Sequence, residues 1–223
     1  MSCEINITQD GVQVTGYMVK PDGAVRGGMI VIQEWWGLND DIRAIAGRFA
    51  AEGYVAIAPD LYHGTLASEP DEAGKLMGAL DRNLAAAEID AAVSYLTSEH
   101  GAAKVGCIGF CMGGGLTLAT ASRPTSTVAA VHAYYGVPFL SSDEMATVHC
   151  PVMASYGGTD AFTPADQIAA LESGLAASGT TTDIKTYAEA GHSFFNSGDA
   201  HHEASAADSW ARSLAWFGEH LGG

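Results

Sequence analysis

The chain has 223 residues, 48% of them hydrophobic, and carries 26 acidic residues against 10 basic ones, for a formal net charge of −16. A chain of this length and apolar content can bury a full core, so disorder is excluded. The negative charge argues against a nucleic-acid partner and against anionic membrane surfaces. No apolar run approaches the roughly 18 residues of a membrane span, and the first residues do not resemble a secretion signal. We therefore expect a cytoplasmic protein with reduced thiols, since four cysteines in such a chain do not make a disulfide framework.

Strand patterns alternate with helix patterns along the chain. The first two strands form a hairpin that closes at Asp10-Gly11, a turn-forming pair. The predicted strands are 4–8, 12–20, 28–33, 54–58, 104–108, 128–135, 152–156 and 182–187, and the predicted helices are 40–52, 70–80, 84–97, 114–121, 164–177 and 204–220. This alternation predicts an α/β fold with a mostly parallel central sheet and helices on both faces. Because no repeat or linker interrupts it, we expect a single domain over residues 1–223.

The most informative motif is Gly109-Phe110-Cys111-Met112-Gly113, which lies between a predicted strand and a small-residue helix. A sharp strand–turn–helix with flanking glycines is the setting of a nucleophile elbow. Cysteine stands in the middle, where most elbows carry serine. A thiol at a helix N-terminus is placed where the helix dipole stabilises its thiolate. The motif therefore predicts that Cys111 is a nucleophile, whereas Cys107 in the preceding strand is interpreted as buried and structural.

Three further motifs follow predicted strands, and functional groups of such sheets cluster outside the carboxyl ends of the strands. These motifs are Glu34-Trp35-Trp36-Gly37, Gly158-Thr159-Asp160 and Gly191-His192-Ser193-Phe194. Asp160 could simply cap the next helix, and the two tryptophans could belong to the core. The order nucleophile, acid, histidine along the chain nevertheless favours a catalytic triad of Cys111, Asp160 and His192.

Together these four motifs make the chain resemble the dienelactone hydrolase family, over nearly its whole length. The resemblance implies a single-domain α/β-hydrolase fold and a monomeric enzyme that cleaves lactones or esters with no metal or cofactor. It also implies that Glu34 lies beside the nucleophile and takes its proton when substrate binds. Until then, repulsion between like charges would favour the protonated thiol. The backbone N–H of Met112, which follows the nucleophile, is expected in the oxyanion hole, and the resemblance adds the N–H of Trp35.

The arginines that hold the substrate carboxylate in the best-known members of this family have no clear counterpart here. The sequence after the histidine reads Ser193-Phe194-Phe195-Asn196, and the earlier segment offers only Lys75 and then Arg82. The candidate substrate-binding residues are Trp36, Arg82, Tyr135, Ser193 and Phe194.

Three functions stay open on the sequence. The first is a lactone or ester hydrolase of the carboxymethylenebutenolidase type that acts through a thioester. The second is a carboxylesterase for neutral esters, unrelated to chlorocatechol breakdown. The third is a non-enzymatic relative that uses Cys111 for binding or redox sensing.

Overall fold

The computed structural model describes residues 1–222, and this part of the chain forms alternating strands and helices around one eight-stranded sheet. The strands are β1 (Ser2–Gln9), β2 (Val12–Val19), β3 (Gly27–Ile32), β4 (Tyr54–Pro59), β5 (Val105–Phe110), β6 (Ala130–Tyr134), β7 (Val152–Gly157) and β8 (Thr182–Tyr187). The helices are α1 (Asp40–Ala51), α2 (Pro70–Ala79), α3 (Arg82–His100), α4 (Met112–Ser122), α5 (Ser142–Met145), α6 (Ala165–Ser178) and α7 (Glu203–Leu221).

The sheet has the order β1-β2-β4-β3-β5-β6-β7-β8. β1 pairs with β2 and β2 with β4 in antiparallel fashion, whereas β3 pairs with β4, β6 with β7 and β7 with β8 in parallel. Every residue of β3 to β7 is buried. Fully buried, mostly apolar strands of this kind are typical of parallel sheets covered on both faces. The predicted mostly parallel α/β architecture is therefore confirmed.

Residue contacts divide the chain into two compact units, and β5 has residues in both. The first unit consists of Met1–Cys107 with residues 221–222. Its hairpin closes through Asp10 and Gly11, which have φ angles of 52° and 80° as the predicted turn requires. Helix α1 begins after Asn39, whose side chain accepts a hydrogen bond from the backbone N–H of Ile42 at 3.2 Å.

The second unit is Ile108–His220, and it contains a buried polar cluster between β6, β7 and α7. His132 is fully buried, and its Nδ1 lies 2.8 Å from the hydroxyl of Ser213. Its Nε2 lies 3.0 Å from the hydroxyl of Ser155. Burial, and secondarily the positive charge of Arg212, lowers the pKa of His132 well below its usual value. The imidazole is therefore held neutral.

The structure adds one helix that the sequence analysis did not predict. Helix α5 has only four residues, and it begins with a capping box in which Ser141 and Glu144 bond each other's backbone N–H. No helix among the described residues combines the length and the apolar character needed to cross a membrane.

Candidate active site

Cys111 occupies a sharp turn between β5 and α4, as the sequence motif predicts. It has φ 53° and ψ −114°, an unfavourable backbone conformation for a residue with a side chain. The turn is held by its N–H, which donates to the carbonyl of Tyr134 at 3.0 Å. A side chain at Gly109 would place its Cβ 2.1 Å from the carbonyl oxygen of Gly113, so only glycine allows the chain to double back here. The resulting elbow leaves Cys111 half-buried, with its thiol at the start of α4.

His192 and Asp160 form a direct pair. The Nδ1 of His192 lies 2.7 Å from Oδ2 of Asp160. The same oxygen accepts from the hydroxyl of Thr163 at 2.7 Å, and Oδ1 accepts from the backbone N–H of Phe162 at 2.7 Å. Although burial alone would raise the pKa of Asp160, these hydrogen bonds lower it below its usual value. Asp160 is therefore an ionised acceptor with a fixed orientation.

The backbone brings the two loops that carry this pair into close contact. A side chain at Gly157 would lie 2.5 Å from the carbonyl oxygen of Gly191, and one at Gly158 would lie 2.7 Å from the Cα of Ala188. The N–H of Thr159 also donates to the carbonyl of Ala190 at 3.0 Å. The distance between Asp160 and His192 is thus set largely by main-chain packing and by the absence of side chains at two glycines.

The electrostatics of the site favour an imidazolium when Cys111 is a thiolate. Burial would lower the pKa of His192, but hydrogen bonds to Asp160 and Cys111, together with the negative charges of the carboxylate and of such a thiolate, raise it to about 10. The histidine side chain is only 20% exposed. Since Nδ1 faces Asp160, the other ring nitrogen serves the thiol. Cys111, His192 and Asp160 therefore form one hydrogen-bonded chain within the second unit.

Two aromatic rings lie close to the imidazole. The ring centroid of Tyr135 is 5.0 Å from that of His192, and the ring centroid of Phe162 is 4.9 Å away. Tyr135 is a sequence-predicted candidate, and it is buried with a positive φ of 37°. Phe162 is not among the sequence-predicted candidates, although its place two residues after Asp160 is a signal in the sequence.

The remaining candidates after the histidine differ in exposure. Ser193 is half-buried and has a φ of 57°. Phe194 is fully buried, and its ring packs 5.5 Å from that of Tyr135 and 5.2 Å from that of Tyr187. Asn196 is also buried, at 6% exposure. Met112 is the first residue of α4, so its N–H is one of the backbone donors at that helix N-terminus.

The other predicted site residues belong to the first unit. Glu34 follows β3 and is 4% exposed. Trp35 and Trp36 come next, both half-buried, with ring centroids 5.1 Å apart in an edge-to-face arrangement. Arg82 is the exposed first residue of α3. The roles predicted for these four residues stay predictions.

Two further cysteines are buried and lie outside the chain formed by Cys111, His192 and Asp160. Cys107 is fully buried within β5, as expected from the sequence. Cys150 is 3% exposed, and burial raises the pKa of its thiol to about 12. A buried thiol of this kind stays protonated and unreactive at neutral pH, which makes it a suitable control for Cys111.

A mostly parallel sheet with a cysteine elbow and a histidine–aspartate pair after later strands defines an α/β-hydrolase fold. The sequence profile of the dienelactone hydrolase family matches residues 14–221. The chain belongs to the dienelactone hydrolase family, which is a family of hydrolases.

Individual relatives agree with this assignment. The chain is 33% identical to the protein usf of Aquifex pyrophilus over 230 residues, which cover 97% of this chain and 98% of the relative. It is 32% identical to a candidate carboxymethylenebutenolidase of Salmonella typhimurium, covering 97% of this chain and 87% of the relative. A crystal structure of a candidate dienelactone hydrolase from Klebsiella pneumoniae is 30% identical and superposes with a TM-score of 0.89, covering 98% of each chain.

Proposed function

We propose that this protein hydrolyses small lactones or carboxylic esters through a thioester intermediate on Cys111. The observation that carries the proposal is the hydrogen-bonded chain from Asp160 through His192 to Cys111. It combines a nucleophile, a base and a group that orients the base, which is the arrangement that nucleophilic acyl transfer requires. Family membership adds hydrolysis as the reaction class.

In the acylation half of the proposed reaction, the thiol of Cys111 gives its proton to Nε2 of His192, and the sulfur attacks the substrate carbonyl carbon. The carbonyl π electrons move onto oxygen, and the resulting oxyanion accepts from the N–H of Met112 and, by family resemblance, from that of Trp35. When the oxyanion collapses, the bond to the alkoxide oxygen breaks. His192 gives its Nε2 proton to that oxygen, so the alcohol leaves neutral and the acyl group stays on sulfur.

In the deacylation half, the same nitrogen accepts a proton from water as the water oxygen attacks the thioester carbonyl. The second tetrahedral intermediate expels the thiolate of Cys111 and yields a carboxylic acid. The imidazolium is then paired with both the thiolate and Asp160, which matches the raised pKa of His192. Return of the Nε2 proton to the sulfur restores the thiol, so the proposed cycle consumes one water and leaves the protein unchanged.

Glu34 has a separate part in the proposal. A buried carboxylate near the nucleophile would oppose the thiolate by repulsion between like charges. It would thereby keep Cys111 protonated and protected from oxidation until substrate arrives.

The proposal is tested by p-nitrophenyl acetate hydrolysis and by mass spectrometry of the enzyme quenched during turnover. We expect an acetyl adduct of about 42 Da on the peptide that contains Cys111, at about one group per chain, because a thioester carries one acyl group on its sulfur. Cys111→Ala should abolish both adduct and turnover. Cys150→Ala is the matched control because it removes a buried, protonated thiol of the same unit. Turnover that survives in Cys111→Ala would overturn the proposal, and would favour a binding or redox role for the cysteine.

A further inference from the structure

Phe162 is an exposed aromatic side chain next to a catalytic base. It is 67% exposed, whereas the other large side chain that contacts the imidazole, Tyr135, is 1% exposed. A phenyl ring left in water loses the stabilisation of about 25 cal/mol for each Å² of apolar surface that burial would provide. A ligand that covered the ring would recover part of this, so the position favours binding of an apolar group.

The backbone of Phe162 is held by Asp160. The backbone N–H of Phe162 donates to Oδ1 of Asp160 at 2.7 Å, while Oδ2 of the same carboxylate faces Nδ1 of His192 at 2.7 Å. One carboxylate thus fixes both the backbone from which the phenyl ring extends and the imidazole. The ring centroids of Phe162 and His192 are 4.9 Å apart.

This position indicates which part of the substrate the ring meets. In the proposed reaction, His192 protonates the leaving alkoxide, so the alcohol portion of the ester must lie next to the imidazole at that step. The acyl portion stays bonded to the sulfur of Cys111. A side chain in contact with the imidazole is therefore placed beside the leaving group.

We propose that Phe162 is a specificity-determining residue that binds the alcohol portion of the substrate and favours esters of aromatic or bulky apolar alcohols. The inference rests on the proposed hydrolase function and adds the class of leaving group to it. Stacking or edge contact between the ring of Phe162 and an aromatic ring of the alcohol would favour such esters over esters of small alcohols.

The test varies the two halves of the substrate independently. Benzyl acetate and methyl acetate share the acyl group, whereas the p-nitrophenyl esters of acetate and butyrate share the leaving group. We expect Phe162→Ala to lower the benzyl-to-methyl ratio of kcat/KM about tenfold, which is the size of one aromatic contact. Phe162→Leu should lower it less. The butyrate-to-acetate ratio should stay unchanged.

Val25→Ala is the control variant, since Val25 is an exposed apolar residue of the other unit, at 39% exposure. It should leave both ratios as in the wild type. An unchanged benzyl-to-methyl ratio in Phe162→Ala would overturn the inference, and so would a change confined to the acyl series.

A binding measurement separates this inference from the proposed function. Benzyl alcohol should shift the imidazole NMR signals of His192 in the intact protein, methanol should not, and Phe162→Ala should abolish the shift. This result would support the binding site even if Cys111→Ala kept full turnover and the thioester mechanism failed. Absence of the shift in a wild type that does form the acetyl adduct would overturn the binding site alone.

Discussion

Replacing Asp160 with asparagine removes one charge and one acceptor from a carboxylate whose two oxygens are both in use. Oδ1 accepts from the N–H of Phe162, and Oδ2 faces both Thr163 and His192. An amide NH₂ in the place of Oδ1 would face the backbone N–H of Phe162, which is also a donor. In the place of Oδ2 the NH₂ would donate to Nδ1 of His192. The proton of the imidazole would then lie on Nε2, the nitrogen that must accept from the thiol or from water. Neither orientation of the amide preserves the arrangement.

The size of the loss follows from the electrostatics of the histidine. A rise in the pKa of His192 from 6.5 to about 10 corresponds to about 5 kcal/mol of preference for the imidazolium. Asp160 and Cys111 provide this preference together, against the cost of burial. Loss of the Asp160 contribution, combined with the wrong tautomer, should lower kcat/KM about 10³-fold, or about 4 kcal/mol.

The assay is kcat/KM for p-nitrophenyl acetate from about pH 6 to pH 9. This range lies below the raised pKa of about 10 of His192 in the wild type, and loss of Asp160 should bring the titration of His192 toward it. Asp208→Asn is the matched control, because Asp208 is another hydrogen-bonded carboxylate of the same unit and pairs with Lys185 at 2.7 Å. It should retain wild-type activity. Asp160→Asn with activity within threefold of the wild type would refute the reasoning, since it would show that the histidine needs no charged partner.

Three further perturbations test other parts of the site and fold. If Glu34 opposes the thiolate as the resemblance to the family implies, Glu34→Gln should speed alkylation of Cys111 by iodoacetamide, because a negative charge is removed. A slower or unchanged rate would contradict the repulsion argument. Because Asn196 brings no charge to offset a buried carboxylate, the protein should discriminate less against the neutral methyl ester of a dienelactone than arginine-bearing relatives do, as kcat/KM for the acid and its ester will show. A strong preference for the free acid that vanishes in Arg82→Ala would contradict this and make Arg82 the carboxylate anchor. The buried His132 binds a proton more weakly in the folded state than in the unfolded state. The free energy of unfolding measured with urea should therefore fall, by up to about 1.4 kcal/mol per pH unit, as the pH drops below about 6.5. His132→Gln should reduce this fall, and an equally steep fall in the variant would show that other groups cause it.

Local sequence patterns encode the alternation of strands and helices and the elbow at Cys111, so both could be predicted. The order of Cys111, Asp160 and His192 along the chain could be read in the same way. Glycines mark the tight turn at Cys111, and buried parallel strands appear as short uninterrupted apolar runs. Predicted boundaries were within a few residues of the observed ones, as for β7, which was predicted over 152–156 and observed over Val152–Gly157.

Contacts between distant segments could not be predicted in this way. The pairing of His132 with Ser155 and Ser213 joins two strands and the last helix, and nothing near any of the three residues in sequence indicates it. The exposure of the Phe162 ring could not be predicted either, since it depends on how the surrounding loops pack in the folded protein. The short helix α5 was missed because four residues carry too little periodicity to be recognised.

The close approach of the loops after β7 and β8 has an evolutionary consequence. Gly157 and Gly158 leave no room for a methyl group against Gly191 and Ala188, so even the smallest replacement at either glycine would push the acid away from the base. We therefore expect substitutions at these two positions to be selected against wherever the pair of Asp160 and His192 is required, although neither glycine belongs to that pair.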